Sequence, residues 1–521
     1  MSLFRTKPVE SFLADAAEPG RQLKRTLNTW DLMIMGVAVS VGAGIFSVGA
    51  RAAANFSGPA VTLSFVIAAL TCAMAIMCYA EFATAIPVAG SAYVFSYATM
   101  GEFIAWIIGW NLILELFTAA AVIAKYWGIY LTEVFQLVGV HLSPTIDLGI
   151  VTMSWGPLLI VALFTLLLVM GTKLSATVGN VFTIIKIAVV LFVIIAGLCY
   201  LKVENLTPFI PEAVPVEGNG TTEVLKQSLF AFATGAAPAQ YGMMGVLAGA
   251  ALVFFAFVGF DVVATSAEEV KNPNKTLPRG IFAGLALTTL LYVGVSFALT
   301  GMVSYKDLAA VETPTLATAF SLVGNDGAAS VIAVGSLIGL TTVVMVLLMG
   351  LSRVVLAISR DGLLPHSLSK TSAKRGTPVR ITVLCGTLVA LVAGFTRVDV
   401  LEEMINIGTL SAFVMVSLGI IVLRRKRPDL KPAFRVPFGP VIPVVSALLC
   451  TYLMLNLAVE TWIYFVVWLV VGVLIYFGYG RGHSRLNAKY ADQLAAMAPG
   501  AHAAVAKDED AQPEDIELVA K

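Results

Sequence analysis

The sequence is poor in charge. Of 521 residues, Lys and Arg supply 33 and Asp and Glu 32, so 12% are charged, whereas an ordinary soluble domain carries about a quarter. Water is therefore not the main solvent of this chain. Cysteine is nearly absent as well: Cys72, Cys78, Cys199, Cys385 and Cys450 are scattered through apolar runs without a CxxC spacing, which argues against disulfides and thiolate metal sites. The four histidines, His141, His366, His483 and His502, lie far apart, and none pairs with a second ligand at helical spacing, so no metal centre is expected. The balance of +1 gives no reason to invoke nucleic acid. The first residues are charged and contain no short apolar core before a small-residue cleavage site, so a removable signal peptide is not expected.

What the chain has instead is apolar length. Hydrophobic residues make up 58% of it, and runs long enough to cross a bilayer, about 20 residues each, recur through most of the sequence. Candidate spans fall near 29–54, 59–84, 102–130, 154–172, 177–201, 244–268, 279–302, 328–357, 379–396, 400–423, 440–458 and 461–479, about twelve in all. The expected organisation is a cytoplasmic segment over 1–28, one transmembrane domain over 29–480, and a cytoplasmic, disordered, Ala-rich tail over 481–521. Basic residues support this orientation. Lys24, Arg25, Lys173, Lys271, Lys275, Arg279, Lys374, Arg375, Arg380 and the run Arg424-Arg425-Lys426-Arg427 fall on one side, and only Lys202, Lys226, Lys306 and Arg397 on the other. Retention of Lys and Arg on the cytoplasmic side then places both termini there, in a cytoplasmic membrane. Between spans two and three, Pro87 to Tyr93 opens a stretch too polar to cross, read as a helix lying on the membrane surface. Residues 203–243 read as a long outer loop.

Two spans carry the marks of a break. The first contains Ser40-Val41-Gly42-Ala43-Gly44-Ile45-Phe46, with two mid-span glycines, each costing up to about 1 kcal/mol relative to alanine in a helix. The sixth contains Phe254-Phe255-Ala256-Phe257-Val258-Gly259-Phe260-Asp261, a mid-span glycine followed by a carboxylate that a lipid-facing helix would not tolerate. Glycines of this kind also serve simply to let helices approach closely. Their matching positions, five spans apart, are what two inverted repeats with discontinuous first helices would give. Unwinding would free amides near Ala43 to Ile45 for a carboxylate, and carbonyls near Ser40, Val41 and Phe255 to Val258 for an ammonium group. Together they would hold a zwitterionic amino acid.

Several motifs appear in consistent order over roughly residues 25–480. They are Gly42-x-Gly44-Ile45-Phe46, Tyr79-Ala80-Glu81-Phe82, Pro87-x-x-Gly90-Ser91-Ala92-Tyr93, Gly109-Trp110-Asn111-Leu112-Ile113-Leu114-Glu115, Glu268-Glu269-Val270-Lys271-Asn272-Pro273 and Ser359-Arg360-Asp361-Gly362-Leu363-Leu364-Pro365. The chain thereby resembles the amino acid–polyamine–organocation superfamily, and the later stretches resemble its cationic amino acid transporter subfamily. The resemblance implies an all-α polytopic membrane protein of LeuT type, a 5+5 inverted repeat with two added helices, working by alternating access. Substrate backbone groups would then be held by Ser40, Val41, Gly42, Ala43, Gly44, Ile45, Phe255, Ala256, Val258 and Gly259. It also implies a lysine on the fifth helix where sodium would otherwise lie, a position that Lys186 matches, and hence protons rather than sodium as coupling ion, with no cofactor.

Lys186 stands out independently. Nine residues beyond a helix start near Thr177, it lies ~14 Å along the axis, too deep to snorkel. Its proton could be taken up and released in step with closure if carbonyls of helices one and eight stabilise the ammonium in one state; the plainer alternative is a permanently charged structural lysine. Asp261 could cap the lower half of helix six or touch substrate. Glu115 could face the substrate, balance Lys186, or bond within the bundle. Phe255, Phe257 and Phe260 could form an apolar wall or gate, although phenylalanines in a membrane helix are more often packing.

The expected function is proton-coupled uptake of amino acids, broad neutral or cationic. The alternatives are amino acid/amine exchange and, further off, a non-transporting sensor. No nucleophile–base pair or phosphate loop suggests an enzyme. The expected partners are an amino acid substrate and the lipid bilayer; whether an accessory subunit takes part stays open.

Overall fold

The computed structural model describes residues 5–6, 27–85, 91–137, 139–147, 149, 152–171, 176–215, 221–236, 239–260, 263, 270–370, 377–428, 430, 432 and 434–486. Most of the 1–28 segment, Pro87 to Gly90, Asp261, Glu268, Glu269 and the tail from 487 onward lie outside the described residues.

The fold is an all-α polytopic membrane protein. Among the described residues, seven helices are long and apolar enough to span a bilayer and five shorter ones are apolar; together they fall on the twelve expected segments. In chain order the helices used below are α1 (Thr29–Ser40), α2 (44–57), α3 (Val61–Ala85), α4 (Ser91–Thr99), α5 (Glu102–Leu137), α6 (Trp155–Val169), α7 (Ala176–Cys199), α8 (Gly242–Val253), α9 (Pro273–Met302), α10 (Leu316–Leu322), α11 (Asp326–Arg360), α12 (Val379–Phe395), α13 (Val398–Lys426), α14 (Val441–Leu455) and α15 (Val459–Ile475). Burial sorts them: 83% of the most apolar stretch of α5 is buried against 22% for the last span, so α5 runs through the middle and α15 lies at the rim.

Local chemistry sets the ends. The Asn28 side chain accepts from the amides of Trp30 and Asp31 while the Asp31 carboxylate accepts from the Asn28 amide, a reciprocal cap that satisfies orphan donors at the start of α1. Asn325 caps α11 through the Ala328 amide. At the other end of α13, Arg424 grips the buried Glu81 of α3 with Nε at 2.8 Å and Nη2 at 2.6 Å. The same carboxylate accepts the Val436 amide at 2.7 Å, so one ion pair fixes the connection from α13 to α14.

Two expectations change. The stretch after Pro87 does form a helix, α4, but Ala92 to Thr99 are buried, so it docks on the bundle instead of lying on the membrane. Its Phe95 stacks on Phe82 of α3 and the Tyr93 hydroxyl donates to Asp361; these aromatic residues find a protein surface to cover. The 203–243 stretch is not plain loop either: it carries two short helices, Thr221–Lys226 and Leu229–Thr234, and a small antiparallel pair, Val214–Pro215 with Ala239–Gln240.

Candidate functional site

The first span is broken where the glycines stand. α1 ends at Ser40, Val41 turns extended at φ −72°, ψ 94°, and the chain resumes helical turns at Gly44. The Ile45 and Phe46 amides turn back to the Gly42 carbonyl, which leaves Gly42 to Gly44 at the start of the new helix, where amides have no preceding turn to bond to. The sixth span breaks too. α8 tightens into a single 3₁₀ turn over Phe254–Phe257, Val258 is extended, and Gly259 adopts φ +111° before Phe260 is helical again.

The two breaks touch, and glycine is what lets them. A Cβ on Gly44 would sit 2.4 Å from the Ala256 Cα, and one on Gly259 would sit 2.3 Å from a methyl of Val39. Each interruption therefore packs directly against the other.

Between them is a cavity of about 140 Å³. Ser40, Gly42, Ala43 and Gly44 line it from the first break, Phe255, Val258 and Gly259 from the second, and Glu115 from α5. Val41, Ile45 and Ala256 are buried beside it but do not line it; Ala256 serves instead as the surface on which Gly44 rests. Phe257 and Phe260 point elsewhere. Phe257 packs on Phe65 and Tyr292, and Phe260 covers Gly36 and Gly284, so both are packing and only Phe255 is wall. Asp261 lies outside the described residues.

The rest of the lining is apolar: Leu116, Ala119 and Ile123 from α5, and Val343, Val346, Leu347 and Met349 from α11. This α11 wall was not legible in the sequence, where aliphatic residues of a membrane helix look alike. Arg353, three residues past Gly350 on α11, also lines the cavity and is exposed. Sequence reasoning missed this cation, although a lone arginine within an apolar helix is the signal that could have found it.

Lys186 of α7 is 2% exposed and sits beside the site rather than in it. Its Nζ donates to the Ala38 carbonyl at 3.0 Å, and its aliphatic stem lies against Gly339 of α11, where a Cβ would meet it at 3.0 Å. The ammonium thus ties α7 to the first half of the broken helix, two residues before its last.

On the far side the cavity is shut. The Tyr130 hydroxyl donates to the Phe46 carbonyl at 2.7 Å, and beyond it Arg51 of α2 is paired with Glu402 of α13, whose carboxylate also accepts the Tyr126 hydroxyl. Glu402 is fully buried. Past this seal opens a polar vestibule of about 530 Å³, lined by Arg51, Lys125, Tyr126, Glu312, Arg397 and Asp399 among others. The partners in the seal stand 351 residues apart in the chain, so the pairing could not be read from sequence, although each is a charge in an apolar span.

Residues 27–479 match the model of the amino acid permease family. The chain belongs to that family. Within it the chain is 41% identical over 493 residues to the branched-chain amino acid permease BcaP of Bacillus subtilis, covering 93% of this chain and 99% of that protein. It is 40% identical over 491 residues to a methylthioribose transporter of the same bacterium, with the same coverage. It is 34% identical over 422 residues to cationic amino acid transporter 1 of Arabidopsis thaliana, covering 78% of this chain and 64% of that protein. The permease is thus a polytopic membrane transporter of amino acids or related organic solutes, a member of the amino acid–polyamine–organocation superfamily.

Proposed function

We propose that this permease is a proton-coupled importer of neutral, apolar amino acids in the cytoplasmic membrane, with both termini cytoplasmic, working by alternating access of a 5+5 inverted repeat (α1 to α7, then α8 to α13) completed by α14 and α15. The observation that carries the reading is the cavity between two touching helix breaks. It offers amides at Gly42 to Gly44 for a carboxylate and helix-end carbonyls for an ammonium, and aliphatic walls for what lies between.

The walls favour neutral over cationic side chains. Glu115 is the only carboxylate lining the cavity and Arg353 the only cation there among the described residues, so a basic side chain would meet repulsion as well as attraction, in surroundings otherwise made of Leu, Ile, Val, Ala and Met. The branched-chain specificity in BcaP's name fits the same walls. Lys186 supports proton coupling: an ammonium bonded to a carbonyl of α1 holds the movable half-helix, and deprotonation would let it go. The Arg51–Glu402 seal acts on this reading as the outer gate, and the side on which Arg353 is exposed is the cytoplasmic side.

A second reading rests on the near-equal identity to the methylthioribose transporter. A thioether suits a wall containing Met349, but a sugar offers no carboxylate to the free amides.

Uptake by proteoliposomes of a labelled panel of amino acids and of methylthioribose, with and without an inward proton gradient, decides among these. Accumulation of leucine, isoleucine, valine or methionine only with the gradient is the expected result. Uptake that requires an amino acid or amine inside the vesicle and does not respond to the gradient would replace symport by exchange, and uptake of methylthioribose alone would overturn the amino acid reading.

A further inference from the structure

Tyr292, on α9, contributes nothing to the cavity lining yet sits where the two breaks meet. Its side chain is fully buried. Its ring is clasped between Phe65 of α3, with centroids 5.5 Å apart, and Phe257 of the second break at 5.3 Å. The hydroxyl reaches two main-chain carbonyls at once, Ser40 O at 2.6 Å and Ala256 O at 2.9 Å. Ser40 is the last residue of α1, and Ala256 lies in the turn that ends α8.

Both carbonyls belong to the negative ends of helices. Two such ends brought together repel, and each exposes acceptors that no later turn satisfies. Only a donor placed between them removes both problems. The phenol has one proton to give, so that proton is shared between the two acceptors, and losing it leaves both carbonyls short at once.

We propose that Tyr292 is a positioning residue for transport, stapling the first break to the second and so setting the spacing of the amides and carbonyls that receive the substrate's charged groups. The inference rests on the reading of the cavity as an amino acid site. Because those groups are common to every α-amino acid, the staple governs affinity without regard to side chain. Residues of the aliphatic wall, such as Ile123, govern rank order instead.

The test is Tyr292→Phe, which keeps the clasped ring and removes only the hydroxyl. KM and kcat are measured in proteoliposomes for leucine, valine, methionine and alanine, with equal amounts of monodisperse protein. The expected result is a KM raised about tenfold for all four, the loss of one well-made hydrogen bond, with kcat within about twofold and the rank order kept. A purely structural role would lower the active fraction and hence kcat, leaving KM in place; that result overturns the proposal, as does a KM change for some substrates and not others. If Tyr292→Phe does not purify as folded protein, Phe65→Leu loosens the ring while leaving the hydroxyl, and the expected result is a smaller uniform rise in KM; a wild-type KM there overturns the proposal equally. Should the wild-type protein transport none of the four, the site reading itself fails. Should it transport them while both variants keep its KM, only the staple fails.

Discussion

Replacing Glu402 by glutamine removes the negative half of the seal between vestibule and cavity while keeping its shape and an oxygen to accept the Tyr126 hydroxyl. Removing one partner of a buried ion pair costs about 3–5 kcal/mol because the other charge is left uncompensated. Here the cost is smaller. The Arg51 side chain is 14% exposed, and the neighbouring Asp399 and Glu403 carboxylates also attract it, so about 2 kcal/mol is a better figure, equivalent to about thirtyfold in an equilibrium constant. That penalty falls on the sealed state alone if opening lets the vestibule hydrate Arg51, and the population then shifts toward the open form by the same factor.

A cysteine placed at Ile123, in the cavity wall, reports this shift. With the exposed Cys199 changed to serine and the other four native thiols buried, a membrane-impermeant thiol reagent supplied from the vestibule side should label Ile123→Cys about thirtyfold faster when Glu402→Gln is added. Glu403→Gln is the control. Its carboxylate is taken up by the Ala458 amide and the Thr461 hydroxyl at the start of α15, so labelling should change by no more than about twofold. An unchanged rate in Glu402→Gln, or an equal rise in both, would mean that the pair does not hold the outer side shut.

Gly44→Ala should cut kcat/KM by at least tenfold, since its methyl would land 2.4 Å from the Ala256 Cα and backbone cannot yield as a side chain can; initial-rate uptake checks it, and a wild-type rate would show that the breaks need not touch. Lys186→Ala should abolish accumulation driven by a pH gradient yet keep counterflow exchange, because it removes the group proposed to carry the proton and does not itself line the cavity; proteoliposome uptake in the two modes separates these. Arg424→Ala should lower the melting temperature of detergent-purified protein with little effect on KM, since it abandons the buried Glu81 at a cost of about 3 kcal/mol far from the cavity; a changed KM with an unchanged melting temperature would contradict that assignment.

The breaks were legible in the sequence because a mid-span glycine is expensive and so marks a place where helix is not wanted. Lys186 was legible for a similar reason, a charge set too deep in an apolar run to reach an interface. What escaped notice was whatever depends on a distant partner. Arg51 looks like a lone charge near a span end and Glu402 like one of several charges that follow Arg397, and only the fold brings the two together. Tyr93, Phe95 and Tyr97 suggest a membrane surface until α3 and α5 supply a protein one. The aliphatic positions of α11 that face the cavity differ from those facing lipid in nothing the residue types record, so the wall opposite the breaks became visible only with coordinates. The same holds for Val41, Ile45 and Ala256: a broken segment was rightly located, but which of its residues turn inward is a matter of a few dihedral angles.

The placement of charge accounts for how such a site could release what it binds. The two buried ion pairs described above, Glu81 with Arg424 and Arg51 with Glu402, contribute nothing to the cavity lining, and the two charged side chains that do reach the lining, Glu115 and Arg353, carry opposite signs. On the proposed reading, the centre would meet a zwitterion mainly with backbone dipoles. Full counter-ions buried at that depth would bind a charged group several times more strongly, and a carrier must let go on the other side as readily as it takes hold. On the proposed two-repeat architecture the two helix ends belong to different halves of the molecule, so moving one half against the other would weaken the grip without any charge having to cross lipid unaccompanied.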